Sequence, residues 1–221
     1  MLFLASCNNK EDRATGAGDV LIVAKKSGTK TVYGIAIYAY TFGSFKSVTA
    51  VNNVATDQIY TLKSNQGYKT NFYYETPEAE FSTTKPAAAT FNFTATFENG
   101  ATDEFDDILT DRTLALPAFE TCEYNTTKKE LEISWTEVPN ADSYAINILD
   151  GANLVFGSAE LANSRTSFSV SASGNGWTSG SKPVSGKPYT VRLFAFLYEP
   201  GGNAYNVQAS AVSEATVTWG D

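Results

Sequence analysis

The side chains best placed to do chemistry in this chain are aromatic rings set among glycines and serines. Trp177 lies in the Gly/Ser-rich stretch Ser171 to Ser181, and Tyr198 and Tyr205 flank Glu199-Pro200-Gly201-Gly202-Asn203-Ala204. Phe42 and Phe45 flank Gly43-Ser44. Folding alone does not put large rings on loops, so such rings are candidates for stacking on the C–H faces of a sugar. Each has a competing reading. The loop carrying Trp177 folds back and buries it, and the tyrosines and phenylalanines close strand ends against a core. The ligand-binding set read from the sequence is Trp177, Tyr198 and Tyr205.

Catalysis has little to work with. The chain has no histidine, which removes Ser-His-Asp and Cys-His mechanisms and the commonest transition-metal ligand. Its two cysteines, Cys7 and Cys122, cannot build a Cys-based zinc site. Cys122 reads as a small buried hydrophobe. The acidic group Glu98, Asp103, Glu104, Asp106, Asp107 and Asp111 could offer oxygens to calcium, but it lacks the Asp-x-Asp-x-Asp-Gly spacing of a dedicated loop. Paired carboxylates can hydrolyse glycosides only at a set separation, which no sequence reveals. The plainer reading is an exposed edge strand whose charges block pairing with another edge. A non-enzyme without metal or cofactor is expected. The net charge of −8 disfavours nucleic acid as a partner, and no apolar run is long enough to cross a membrane as a helix.

The elements that must position these residues are strands. Residues 130–149, ELEISWTEVPNADSYAINIL, hold two runs of period two facing each other across a turn. Leu131, Ile133 and Trp135 share one face of the first, and Tyr144, Ile146 and Ile148 share one face of the second. Pro139-Asn140-Ala141-Asp142 supplies the turn. Earlier, Val20 to Ala24 is a continuous apolar run. Residues 31–41, TVYGIAIYAYT, read as a central strand covered on both faces, with Gly34 marking a bulge or a close packing contact. In Tyr68 to Glu75, Phe72 and Tyr74 share a face with Tyr68 and Thr70, while Tyr73, Asn71 and Lys69 share the other. Asn99-Gly100 follows the alternating Phe91, Phe93, Ala95 and Phe97 and is a hairpin signal. Asp103 to Leu114 suits a strand or a short helical turn. The spacing of turn signals in the first half argues an immunoglobulin-like sandwich, and 221 residues leave room for two such domains.

Two resemblances add to this. Leu4-Ala5-Ser6-Cys7 resembles the lipobox of bacterial lipoproteins, which implies acylation of Cys7 and a membrane partner through that lipid anchor. The apolar part is short and lacks a basic segment before it, so the natural start is expected upstream. Asn8-Asn9-Lys10-Glu11-Asp12 resembles the signal that carries some Gram-negative lipoproteins to the outer cell surface. Residues 117–219 resemble a fibronectin type III domain. Trp135 matches the tryptophan ending that family's second strand, Tyr144 the aromatic opening its third, and Tyr189 the tyrosine-corner position. Its departure is the long Gly/Ser-rich segment Ser171 to Gly186.

The expected architecture is therefore all-β, with two tandem immunoglobulin-like or fibronectin type III-like β-sandwiches. Residues 1–18 form the signal remnant, lipobox and tether, 19–115 the first sandwich and 116–221 the second. The expected role is a non-catalytic binding or accessory module at the outer membrane or cell surface, with a polysaccharide or another surface protein as partner. A structural spacer or adhesin subunit is the alternative. An exposed aromatic row would favour the first, and a flat apolar strand edge the second.

Overall fold

The computed structural model describes residues 14–200 and 206–220. Their regular structure is β, apart from one 3-10 turn at Glu78–Glu80. The strands of the first half are β1 Gly16–Ser27, β2 Lys30–Thr41, β3 Phe45–Asn52, β4 Ile59–Thr61, β5 Lys63–Asn65, β6 Tyr68–Glu75, β7 Ala89–Phe97 and β8 Thr102–Leu109. Those of the second half are β9 Ala118–Asn125, β10 Glu130–Thr136, β11 Ser143–Asp150, β12 Asn153–Gly157, β13 Leu161–Ala162, β14 Ser167–Ser171, β15 Pro188–Tyr198 and β16 Val207–Thr218.

The chain divides into two compact units that are not its consecutive halves. Unit one takes 14–19, Ile37–Tyr74 and Ala89–Ile108, and unit two takes Val20–Ala36, Glu75–Ala88 and 109–220. Strands β1 and β2, twelve residues each, therefore give residues to both. Val20 to Ala24 is buried throughout, as its unbroken apolar run requires. Its partner is β16, paired in parallel with Ile22 opposite Ala209 and Ala24 opposite Ala211. Gly34 in β2 is a close packing contact, because a Cβ there would sit 2.8 Å from Thr76 and 2.9 Å from the Phe81 ring.

Unit two is a sandwich. One sheet carries β12, β11, β15, β16 and β1 side by side, with β13 on β11, and the other carries β14, β10 and β9. The two runs around Pro139–Asp142 lie in opposite sheets, and their rings meet across the core: Trp135 and Tyr144 are 5.3 Å apart at 60°. Leu131, Ile133 and Trp135 face Tyr144, Ile146, Ile148, Val191 and Leu193, all buried as the period of two predicts. Tyrosine hydroxyls then secure the loops. Tyr144 Oη accepts the Val138 N–H at 2.8 Å, and Tyr189 Oη accepts the Val184 N–H at 3.0 Å. The second is the corner hydrogen bond that the fibronectin resemblance implies.

Unit one is a second sandwich, with the sheet β4-β3-β7-β8 against β6 and the adjoining part of β2. Phe45 of β3 meets Phe72 of β6 edge-on at 5.5 Å, and Tyr60 of β4 meets Tyr74 at 5.1 Å. Phe91, Phe93, Ala95 and Phe97 point inward along β7. The Asn99-Gly100 turn joins β7 to β8, with Gly100 at φ +85° and the Phe97 N–H donating to the Ala101 carbonyl. Residues 102–109 are strand, which settles the ambiguous segment. As the outer strand of its sheet, β8 puts its acidic residues on an edge.

Trp135→Ala should cost about 3–5 kcal/mol, by loss of a fully buried ring. Tyr189→Phe should cost about 1 kcal/mol, and Tyr144→Phe about 1–3 kcal/mol because the Val138 N–H it abandons is buried. Denaturant midpoints of the three variants check the order. Tyr144→Phe costing more than Trp135→Ala would contradict this account of the core.

Candidate functional site

The outer face of unit one carries a row of tyrosines. Alternation along β2 sends Ile37 and Ala39 into the core, both at 0% exposure, and turns Tyr38 and Tyr40 outward, half-buried. Alternation along the neighbouring β6 buries Phe72 and turns Tyr73 outward. The Tyr38 and Tyr40 rings lie 6.1 Å apart with planes within 11°, and Tyr38 and Tyr73 lie 6.5 Å apart within 23°. Three nearly parallel rings thus stand on two adjacent strands. Asn71 lies two residues from Tyr73 on the same face of β6, and its Oδ1 is buried with no hydrogen-bond partner among the described residues. Burial, then the neighbouring Asp19 carboxylate and Tyr38, push the Tyr40 hydroxyl well above the ordinary phenol range. That hydroxyl stays protonated at neutral pH and so keeps an O–H to donate.

Such a row can bind a flat ligand with C–H faces. Rings held on paired strands lose little freedom when they meet a ligand, unlike rings on loops. The repeated Tyr-x-Tyr of 38–40 was a visible signal for it. The strand is covered on one face only over residues 37–41, not on both as its unbroken apolar run predicts, because Tyr38 and Tyr40 tolerate half-exposure.

The residues read from the sequence as ligand-binding are placed differently from one another. Trp177 is half-buried in unit two. Its ring meets Phe156 at 5.2 Å and Trp219 at 5.6 Å, both edge-on, and its Nε1–H donates to the Ser171 carbonyl at 2.9 Å. The Gly/Ser-rich loop folds back, as the competing reading had it. Gly176 permits this with φ +109°, and a Cβ there would sit 2.6 Å from both the Gly157 carbonyl and the Phe156 ring. Tyr198 ends β15 with its hydroxyl hydrogen-bonded to Ser143 and Glu160 and its N–H donating to Asp142 at 2.7 Å. Burial, then Glu160, push that hydroxyl up to about 12. Tyr205, and the proposed lipidation site Cys7, lie outside the described residues. Phe45 is buried at 1%, whereas Phe42, three residues earlier, is 99% exposed.

Glu98 and Asp103 are engaged. Glu98 pairs with Lys69 at 2.7 Å, which holds its carboxyl below the usual range. Asp103 accepts the Gly16 N–H at 2.8 Å. Carboxylate oxygens of Asp19 and Asp107 lie within 4.8 Å of each other. The Cys122 thiol is half-buried and pushed up to about 11 by that burial, which leaves it a poor nucleophile.

No protein-family profile matches the chain, and no curated protein does. Among solved structures it is similar to the fibronectin(III)-like modules of Clostridium thermocellum CbhA, at 11% identity, over 90% of this chain and 93% of that one, with a TM-score of 0.29. It is similar to a bacterial ice-binding adhesin at 13% identity, over 93% of this chain and 65% of that one, with a TM-score of 0.30. A biofilm-associated protein's BSP domain gives 12% identity, 95% and 53% coverage, and a TM-score of 0.27.

Trp177→Ala should lower stability by roughly 2–3 kcal/mol, since it removes a half-buried ring from between two others. Gly176→Ala should cost about 1–3 kcal/mol through backbone strain alone. Thermal unfolding checks both, and unchanged midpoints would mean that the loop does not pack as described.

Proposed function

We propose that this chain is a non-catalytic, surface-anchored binding module that takes an extended, uncharged glycan on the tyrosine row of unit one. The observation that carries this is the near-parallel arrangement of Tyr38, Tyr40 and Tyr73 on the outer face of two adjacent strands. Aromatic faces stack on the C–H faces of pyranose rings, and phenol hydroxyls provide polar partners for sugar hydroxyls. One sheet edge, β8, is acidic, with Asp103, Glu104, Asp106 and Asp107 along it, which disfavours apolar pairing at that edge. Attachment through an acylated Cys7, at the outer membrane or cell surface, belongs to the same proposal and is supported by the Leu4-Ala5-Ser6-Cys7 motif.

A calorimetric titration against soluble, neutral β-linked oligosaccharides and polysaccharides tests the binding half. Tyr38→Ala and Tyr73→Ala should each weaken binding about tenfold, equivalent to about 1.4 kcal/mol. Tyr73→Ala should leave the unfolding midpoint near the parent's, whereas Tyr38→Ala should also lower stability by about 1–2 kcal/mol, because its half-buried ring stands between Tyr40 and Tyr73. Tyr198→Phe should leave affinity unchanged, because its hydroxyl is held within unit two. Absence of binding by any saccharide at millimolar concentration would leave the spacer or adhesin reading in its place. Independently, Cys7→Ser should release the protein from the membrane fraction. A variant that still sediments with membranes would mean another anchor.

A further inference from the structure

Phe42 is almost wholly exposed at 99%, in the bend between β2 and β3. The bend is built to hold it there. Gly43 N–H donates to Thr41 Oγ1 at 3.0 Å, and Glu98 N–H donates to the Ser44 carbonyl at 2.9 Å. Tyr68, 64% exposed, precedes Lys69, whose ammonium binds Glu98 beside this bend. Two large aromatic side chains therefore stand in solvent at one end of unit one. Neither ring serves the core, so both are available to an external surface.

The same end holds the first described residues. Thr41 Oγ1, next to Phe42, donates to the Thr15 carbonyl at 2.7 Å. Cys7 is eight residues from Thr15, and eight residues span at most about 29 Å even when fully extended. An acyl group on Cys7 would thus hold the Phe42 end within reach of the bilayer. Tyr carries the apolar body and polar tip that the headgroup region solvates, and Phe is among the apolar side chains that interfacial elements bury at the acyl boundary.

We propose that Phe42 rests in the interfacial layer of the membrane that carries the Cys7 anchor, with Tyr68 at the same end of unit one. The tip is a lipid-surface contact that orients the module. This rests on the anchoring part of the proposed function and is independent of glycan binding. The acyl chains supply the attachment, and the aromatic tip removes the freedom of unit one to tumble about its tether.

The test is the acylated full-length chain carrying Phe42→Trp, reconstituted into phosphatidylcholine vesicles with brominated acyl chains. Acylated wild type, with its native tryptophans, is the reference, and mass spectrometry of the Cys7 peptide establishes acylation. The new tryptophan should emit at shorter wavelength than in buffer, and the variant should be quenched about twofold more than the reference. Equal quenching of both proteins, with Cys7 acylated, would overturn the lipid contact and leave the anchor standing. Absence of an acyl group on Cys7 would overturn both. Unfolding midpoints should match, since Phe42 makes no packing contact to lose.

Discussion

The parallel pairing of β1 with β16 is the constraint on which the rest of unit two depends. It joins the first described strand to the last, with Ile22 through Lys25 against Ala209 through Val212. Parallel neighbours cannot be joined by a tight hairpin, so everything between them serves as the connection. The entropy of closing so long a loop grows only logarithmically with its length, which makes the pairing affordable but late in folding. It also explains the residues. A strand with neighbours on both sides and cover on both faces must be apolar on both, and Val20 to Ala24 is. Ala209 and Ala211 of β16 are buried and small, which lets other layers approach.

Strand β2 passes from one unit to the other, and its two faces then do different work. In residues 37–41 the inward positions are Ile and Ala, and the outward ones are tyrosines. A tyrosine on a sheet face tolerates partial exposure because the ring is apolar and the hydroxyl is wet. The cost of ordering these rings was met when the sheet formed, so this face is rigid in advance. The Gly34 position on the same strand shows the opposite adaptation, with side chains from Thr76 and Phe81 packed where a Cβ would be.

The Gly/Ser-rich segment around Trp177 shows why composition misleads about function. Glycine permits flexibility, but it equally permits a backbone at positive φ pressed against a ring. Gly176 is of the second kind, and Trp177 becomes a packed member of an aromatic cluster with Phe156 and Trp219. Nothing in the local sequence distinguishes the two, because the deciding atoms, the Phe156 ring and the Gly157 carbonyl, belong to another strand.

What the sequence determined by itself was local. Period-two alternation placed Leu131, Ile133, Trp135, Tyr144, Ile146 and Ile148 inward. Asn99-Gly100 made its hairpin, Gly34 marked a bulge or a close approach, of which the packing took the second, and the acidic run fell on a sheet edge. These follow from stereochemistry and from each strand's own amphipathicity, which a chain carries without reference to its neighbours. Tertiary structure alone decided the partners. Val20–Ala36 joins the strands of the second half, because an apolar run specifies that it must be covered but not by which strand. Tyr38 and Tyr40 stay half-exposed, because nothing covers that face fully. The Phe42 and Phe45 pair splits, one ring in solvent and one in the core, because the bend between them turns β3 over the inner face. A side chain's alternation is written in its own strand, whereas what lies above that face is written elsewhere in the chain.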